Sequence, residues 1–163
     1  MNTELNILPG AQSSKGFQFN LENVQWHEFM TPGTFYRIRR VDVAARQADM
    51  LVKFEADSQC MYHRHACCTS TLVLERELRV HEQIDGGEVV KVKSAGSYSL
   101  GGEGEVHIEG SGSKPAIIFF GMSSDSDVIY EFLNNDLSLR RAVTVADFDQ
   151  DWRTNWPQDK RTS

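Results

Sequence analysis

Three histidines at two places in the chain could together bind a metal ion. His63 and His65 are separated by one residue, and His107 follows a glycine-rich turn later in the sequence. Side chains of a β-strand alternate between its two faces, so two histidines spaced in this way project to the same side, as two ligands of one ion must. Three neutral imidazoles that leave coordination positions open are typical of catalytic metal sites. The pattern therefore predicts a mononuclear metal centre on His63, His65 and His107.

The segments around these histidines have the composition of a β-rich domain. Short runs of β-branched, aromatic and aliphatic residues are separated by turn residues, as at Asp85-Gly86-Gly87. No helical patterns alternate with these runs, which favours a sandwich or barrel over a parallel sheet. We predict strands at 36–39, 50–55, 71–74, 78–81, 89–92, 97–100, 106–109, 116–120 and 128–132.

The C-terminal part of the sequence predicts a single helix. Thr144, followed three residues later by Asp147, resembles a capping box, in which the two side chains bond each other's backbone N–H groups. Phe148 and Trp152 are four residues apart, so they share one face of a helix. We expect this helix to begin near residue 144, to end near residue 154 and to dock its apolar face on the β-domain.

The two histidine-bearing segments resemble the two motifs of the cupin superfamily, which read roughly H-x-H-x3-E-x6-G and P-x-G-x2-H. Residues 72–78 are also similar to the cupin strand–turn–strand segment, and residues 95–98 to the segment before the second motif. The resemblance covers about residues 48–132, and it implies an all-β, single-domain cupin jelly-roll β-barrel of the RmlC-like type with a short C-terminal helix. The motif positions are His63-x-His65-x3-Thr69-x6-Arg76 and Gly102-x-Gly104-x2-His107.

Three departures from the cupin motifs bear on the site. Thr69 stands where most cupins have a glutamate ligand, and a hydroxyl is a poor ligand for a divalent cation, so we expect a site of three histidines without a carboxylate. Arg76 replaces the turn glycine, so the turn should have a conformation that a side chain tolerates. Gly102 replaces the proline that precedes His107, which loosens the approach to this ligand.

The three-histidine pattern is similar to a smaller cupin branch, the acetylacetone and dihydroxyacetophenone dioxygenases. That resemblance implies a non-haem Fe(II) dioxygenase acting on a small chelating substrate of the β-diketone or hydroxy-ketone type. The pattern is also similar to the cupin domain of ChrR-type anti-sigma factors, which implies a non-catalytic, Zn-binding, ligand-sensing module. A metal-dependent isomerase or lyase is a third alternative. We favour Fe(II), with Zn(II), Ni(II) or Mn(II) as the other candidate ions.

Three residues near the second motif are candidates for catalysis. Glu103 and Glu105 flank that motif and either could accept a proton, while Tyr98 could hydrogen-bond a bound ligand. Cys67 shares the strand parity of His65 and could approach the metal, although we favour a small buried core residue at this position.

Length and composition indicate one domain. The chain has 163 residues, enough to bury a substantial core without disulfides. Three cysteines, Cys60, Cys67 and Cys68, form no even disulfide framework, so reduced thiols are expected. We expect an N-terminal arm at 1–19, the β-barrel at 20–143, and the C-terminal helix and tail at 144–163.

Charge and hydropathy limit the partners. The formal net charge is −6, and the arginines at 37, 39 and 40 lack the interleaved aromatic residues of a nucleic-acid surface. No run reaches the roughly 18 apolar residues of a membrane span, and no secretory signal pattern is present. We expect a cytoplasmic protein, a homodimer because such arms often order against a partner subunit, with a small-molecule substrate or ligand.

Overall fold

A computed structural model describes residues 21–161, so the predicted arm at 1–19 lies outside the described residues. Twelve strands and one helix make up this part of the chain. In chain order they are β1 (His27–Glu28), β2 (Thr34–Asp42), β3 (Gln47–Phe54), β4 (His63–His65), β5 (Cys68–Glu75), β6 (Glu77–Ile84), β7 (Gly87–Ser94), β8 (Tyr98–Gly101), β9 (Val106–Gly110), β10 (Ala116–Ser123), β11 (Val128–Leu133), β12 (Leu139–Thr144) and α1 (Val145–Asn155).

The strands form two six-stranded sheets. The first has the order β1-β2-β3-β10-β5-β8 and the second the order β12-β11-β4-β9-β6-β7. All pairs are antiparallel, and most neighbours are distant in sequence, as the crossing connections of a jelly roll require. The all-β jelly roll with a short C-terminal helix is therefore confirmed, in the form of a sandwich whose two sheets are not closed into one barrel.

The core lies between the two sheets and consists of alternate residues of the central strands. In β10, Ala116, Ile118, Phe120 and Met122 are all buried, and the same alternation holds in the neighbouring β3. Every second residue of a strand faces the same side of the sheet, so this pattern presents one continuous apolar surface to the opposite sheet. Full burial of each large side chain contributes about 1.5–3 kcal/mol of transfer free energy.

Helix α1 begins at the predicted capping box. The Thr144 hydroxyl accepts a hydrogen bond from the Asp147 N–H, and the Asp147 carboxylate accepts one from the Thr144 N–H. The helix buries Val145, Phe148 and Trp152, and it packs on β2 and β12. The prediction of a docked amphipathic helix is confirmed. No helix in residues 21–161 is long and apolar enough to cross a membrane.

A buried ion pair fixes the chain that follows the helix. Arg37 of β2 donates two hydrogen bonds to Asp159, at 2.7 and 2.8 Å, and its guanidinium lies 4.6 Å from the centre of the Trp156 ring. Asp159 also accepts a hydrogen bond from the Trp152 indole N–H at 2.8 Å. These contacts hold the end of α1 against the first sheet.

The turn after β5 has a different conformation from the one that the sequence predicts. Arg76 has φ +62°, so the turn keeps the left-handed conformation that glycine favours, rather than one a side chain tolerates easily.

β7 is the last strand of its sheet, and Val89, Val90 and Val92 are exposed on both of its faces. Among the described residues, β7 pairs on one side only.

Candidate metal centre

Two paired strands of the second sheet carry the candidate ligands. β4 holds His63 and His65, β9 holds His107, and His63 lies opposite His107 in the ladder. All three histidines are buried on the inner face of the sheet, as their strand parity predicts. Glu109, two residues beyond His107 on β9, is also buried and faces the same way.

The four side chains converge on one point. The Nε2 atom of His65 lies 3.1 Å from the Nε2 atom of His63 and 3.1 Å from that of His107. The Glu109 carboxylate oxygens lie 3.5 Å from His63 Nε2 and 3.4 Å from His107 Nε2. Four potential ligand atoms within 4.8 Å of one another thus form what we call the cluster, His63, His65, His107 and Glu109.

The spacing and chemistry of the cluster fit one divalent ion. Metal–nitrogen and metal–oxygen bonds are about 2.0–2.2 Å, so two ligands of one ion lie at most about 4.4 Å apart. The four contacts of 3.1–3.5 Å satisfy this limit, and the wider separations in the cluster, up to 4.8 Å, need to shorten only slightly when an ion binds. Imidazole suits zinc, iron and nickel, and a carboxylate extends the range towards manganese. The residues therefore fit a first-row transition metal.

Glu109 corrects the predicted ligand set. We expected three neutral histidines and no carboxylate, because Thr69 occupies the usual glutamate position, but the cluster contains a carboxylate from another strand. The signal was present in the sequence, since the pair His107-x-Glu109 has the same spacing as His63-x-His65 and so the same strand parity. The carboxylate reduces the net charge of a bound divalent ion and its protein ligands from +2 to +1.

The Nδ1 atoms of the three rings, which we call the outer nitrogens because the Nε2 atoms face the cluster, have different partners. His63 Nδ1 lies 3.2 Å from the Met61 carbonyl, which only accepts, so Nδ1 carries the proton and Nε2 offers its lone pair to the cluster. His65 Nδ1 lies 2.8 Å from the Thr69 hydroxyl. His107 Nδ1 is buried without a hydrogen-bond partner in residues 21–161. Thr69 therefore orients a candidate ligand instead of replacing one.

Burial and mutual charge set the protonation of the cluster. Burial raises the pKa of Glu109, but the hydrogen bond and charge of His107 outweigh it and hold that pKa at about 2. Burial lowers the pKa of His63 to about 4 and also lowers that of His65. Burial would lower the pKa of His107 as well, but the hydrogen bond and charge of Glu109 raise it. Near neutral pH, Glu109 is ionised while His63 and His65 are neutral, as metal binding requires, whereas a metal ion must displace the proton that Glu109 favours on His107.

A small, largely apolar pocket adjoins the cluster. Its volume is about 60 Å³, and we call it the inner pocket. Among its walls are three of the cluster residues, so a ligand in the pocket would touch the metal position. The lining residues are Phe29, Thr34, Tyr36, Met50, Val52, Phe54, Cys60, His63, His65, Glu109, Phe120, Met122, Tyr130 and Phe132.

The other residues predicted from the sequence lie elsewhere. Tyr98 is on the edge strand β8 and is 63% exposed, while Glu103 and Glu105 are exposed in the turn before β9. None of these three residues lines the inner pocket. Their side chains are not part of the cluster, although the Glu105 carbonyl accepts a hydrogen bond from the His65 N–H at 3.0 Å and the charge of Glu105 helps to raise the pKa of His107. The catalytic role of the three residues stays a prediction. Cys67 is a buried core residue outside the cluster, in agreement with the alternative that we favoured.

The chain forms a jelly roll of two antiparallel sheets with a buried histidine cluster on an inner face, and solved structures described as cupins have the same fold. The fold of this chain is that of the RmlC-like cupins, as the sequence resemblance predicted. No family model matches the sequence, and no curated protein matches it. The likeness to known proteins therefore concerns the fold.

Solved structures with this fold have different activities. The chain is 13% identical to an RmlC-like cupin protein from Ralstonia eutropha (TM-score 0.68), over 86% of each chain. It is 13% identical to an acetylacetone dioxygenase from Acinetobacter johnsonii (TM-score 0.66), over 88% of this chain and 94% of that one. It is 13% identical to a DMSP lyase from Ruegeria pomeroyi (TM-score 0.53), over 66% of this chain and 60% of that one. Identities this low show the fold and leave the activity to the site.

Proposed function

We propose that this protein is a metal-binding cupin that acts as a non-haem Fe(II) dioxygenase on a small chelating substrate. The observation that carries the proposal is the convergence of three imidazole Nε2 atoms and one carboxylate at the end of an apolar pocket. His63, His65, His107 and Glu109 would hold the ion. Bound iron supplies a Lewis acid and an electron source for chemistry with molecular oxygen.

The protein residues prepare the site in three ways. Strand pairing between β4 and β9 fixes the ligand positions before any ion binds. The Met61 carbonyl and the Thr69 hydroxyl hold the outer nitrogens of His63 and His65. The apolar walls of the inner pocket exclude water, which strengthens the electrostatic attraction between the ion and an anionic ligand.

The charge of the cluster supports a particular kind of ligand. Glu109 leaves a net charge of +1 on a divalent ion and its four protein ligands, since the imidazoles are neutral. A bidentate ligand with one negative charge, such as the enolate of a β-diketone, would complete the neutralisation in this low-dielectric pocket. The four protein ligands would leave two positions of a six-coordinate ion for such a ligand.

Metal analysis and oxygen uptake test the proposal. The protein should bind one equivalent of metal, and His107→Ala and Glu109→Gln should each lose most of it. The Fe(II) form should consume oxygen with acetylacetone, while the Zn(II) form should not, because zinc has no accessible redox change. Tyr98→Phe, at an exposed position, is the matched control and should keep both metal and activity. Full metal content in His107→Ala would refute the assignment of the cluster.

The cluster also favours a second candidate, a Zn-binding, ligand-sensing module. Structural zinc sites are closed by four protein ligands, and Glu109 supplies a fourth ligand atom. This candidate predicts that the Zn(II) form binds a small chelator reversibly and that no metal form turns it over. For the isomerase or lyase alternative, neither Glu103 nor Glu105 lines the pocket as a base.

We also propose that the protein is a cytoplasmic homodimer. The proposal rests on the predicted N-terminal arm, since such arms often order against a partner subunit. Sedimentation velocity over a range of concentrations should give a single species of twice the 18.5 kDa chain mass. A monomer at all concentrations would contradict it.

A further inference from the structure

A second and larger space lies against the inner pocket, between helix α1 and the strands β1, β2, β11 and β12. Its volume is about 560 Å³, and we call it the outer cleft. Residues that line the outer cleft but not the inner pocket include Glu28, Ile38, Arg141, Val143, Asp151 and Thr154. This volume is in the range of small-molecule sites in proteins, whereas the inner pocket is well below it.

The two spaces share one wall. Phe29, Tyr36, Met50, Tyr130 and Phe132 line both of them. The aromatic rings of this wall touch one another, with centroid distances of 5.6 Å between Phe29 and Tyr36 and 5.0 Å between Tyr130 and Phe132. The route from the outer cleft to the cluster therefore passes between side chains that can rotate, without any change in the strands that hold them.

Helix α1 controls part of this wall through one hydrogen bond. The Tyr36 hydroxyl donates to the Asp151 carboxylate at 2.6 Å, and Asn155 donates to the other Asp151 oxygen at 2.6 Å. The Tyr130 hydroxyl, in contrast, makes no hydrogen bond within the described part of the chain and is available to a ligand at the junction.

The walls of the outer cleft select by polarity and charge. The half-exposed Met30 and the partly buried Phe29 and Tyr36 provide apolar surface, which suits a flat hydrocarbon group. Three residues that carry carboxylates, Glu28, Asp147 and Asp151, line the cleft, against the single guanidinium of Arg141. Arg141 lies 3.7 Å from Asp147, so the remaining charge is negative. A ligand group with its own negative charge would be repelled here.

We infer that the outer cleft is a substrate subsite, which takes the neutral or cationic apolar body of a substrate whose small chelating head reaches the cluster through the shared wall. Only the binding of the chelating head to the cluster rests on the proposed function; the binding of the apolar body to the outer cleft does not. It assigns the substrate class as an aryl- or alkyl-substituted chelator without a second anionic group. A head with no body, such as acetylacetone, would use only the inner pocket.

Binding of three probes to the Zn(II) form tests the inference without turnover. The probes are acetylacetone, 1-phenylbutane-1,3-dione and its 4-carboxyphenyl analogue, measured by titration calorimetry. The phenyl probe should bind at least about tenfold more tightly than acetylacetone, because the ring is buried in the cleft. The carboxylated probe should lose that gain. Equal affinities of acetylacetone and the phenyl probe would overturn the inference.

Substitutions of residues that line only the outer cleft test whether the higher affinity of the phenyl probe comes from that cleft. Thr154→Trp, at an exposed position of α1, fills the cleft and should reduce the affinity for the phenyl probe to that of acetylacetone, with metal content and acetylacetone affinity unchanged. Arg153→Trp, one residue away and outside the cleft, is the matched control. Glu28→Lys should improve binding of the carboxylated probe by about tenfold, because it reverses a charge in the cleft. An unchanged phenyl preference in Thr154→Trp would refute the subsite.

Failure of the metal centre would give a different result from failure of the subsite. If the protein binds no metal, acetylacetone should not bind, and the phenyl probe is then titrated against the metal-free protein. Weak binding that Thr154→Trp abolishes and Arg153→Trp retains would support the subsite on its own. Absence of such binding would overturn it.

Discussion

At the residue scale, the three imidazoles of the cluster are not held equally. His63 and His65 each have a partner for the outer nitrogen, while His107 has none among the described residues. A hydrogen bond on the outer nitrogen fixes the tautomer and the ring orientation of a metal ligand. His107 is instead oriented from the inner side, by the Glu109 carboxylate 3.4 Å away. Glu109 thus has two roles, as a candidate ligand and as a partner of another.

Replacement of Thr69 tests how much the hydrogen bond on the outer nitrogen of His65 contributes to metal binding. Thr69→Val keeps the shape of the side chain and removes the oxygen that lies 2.8 Å from His65 Nδ1. We expect metal affinity to fall by about 10- to 100-fold, the usual effect of losing a partner behind a ligand. Competition with a coloured chelator measures the affinity. Thr71→Val is the control and should keep the affinity of the unmodified protein, because Thr71 is a buried threonine on the same strand that makes no hydrogen bond to a histidine within residues 21–161.

The sequence predicted much of the cluster, and the part that it missed has a physical cause. Strand parity alone placed His63 and His65 on one face, and the second motif added His107. Glu109 was not predicted because the cupin motif has its glutamate ligand at position 69, where this chain has Thr69. Strand parity places Glu109 on the same face as His107. The inner pocket could not be predicted, because its walls come from strands of both sheets whose packing the local pattern does not specify.

At the element scale, helix α1 has two points of attachment, its cap and the chain beyond its end. The capping box satisfies N–H groups that the first turn would otherwise leave without partners. Arg37 and Asp159 join the far end to β2. Because α1 forms one wall of the outer cleft, both attachments bear on the shape of that cleft.

Loss of the cap should destabilise the protein measurably. Thr144→Ala removes the hydroxyl that accepts from the Asp147 N–H, and we expect the free energy of unfolding to fall by about 1 kcal/mol. Urea denaturation measures this value. Thr154→Ala, an exposed threonine in the last turn of the same helix, should change it by less than about 0.5 kcal/mol. Equal effects of the two substitutions would mean that the cap contributes nothing.

The Arg37–Asp159 pair should make stability depend on pH. Burial raises the pKa of Asp159, but hydrogen bonds from Arg37 and Trp152 outweigh it and lower the pKa below its usual value. A carboxyl whose folded-state pKa is lowered contributes stability above its unfolded pKa of about 3.9, and this contribution is lost as pH falls through the folded value.

Asp159→Asn tests that sign. At neutral pH the variant should be less stable by about 2 kcal/mol, since Arg37 stays buried without a counter-charge. The difference from the unmodified protein should begin to shrink below about pH 4, the unfolded-state pKa, and disappear below the lowered folded-state pKa, where the carboxyl group is protonated in both states. Urea midpoints between neutral and acidic pH measure it. A difference that is constant over this range would show that the charge of Asp159 is not responsible.

Prediction of the elements succeeded where the sequence has a run of β-branched, aromatic or aliphatic residues, and it failed where no such run is present. All nine predicted runs lie within or largely within strands, and the capping box gave the start of α1 to within one residue. β12 was missed because its first three residues, Leu139, Arg140 and Arg141, are all exposed and leave no alternation to detect. β1 has only two residues, too few for a periodic signal.

At the scale of the whole molecule, the cluster joins two strands whose own ladder is short. β4 has three residues and pairs with β9 at only two positions, His63 with His107 and Arg64 with Val106. A bound ion would add a cross-link between these strands at the level of the core. Metal binding should therefore stabilise the fold as well as create a site.

Metal removal should lower the melting temperature. At a free metal concentration 100 times the dissociation constant, binding to the native state alone adds about 2.7 kcal/mol. For a domain of this size that corresponds to a shift of several degrees, about 5 °C or more. Scanning calorimetry with added metal or chelator measures the shift. His107→Ala should melt at one temperature in both conditions, and a metal-dependent shift in that variant would indicate a second metal site.

The edge strand β7 has a consequence for the protein during refolding. Its valines combine high β-propensity with exposure, and its outer edge offers unpaired backbone groups within the described structure. Lys91 and Lys93 interrupt this apolar run, and charged residues at such positions oppose pairing between edges. When the protein refolds at high concentration, these two lysines should limit aggregation between exposed edges. Replacing both with neutral residues should therefore lower the yield of native protein.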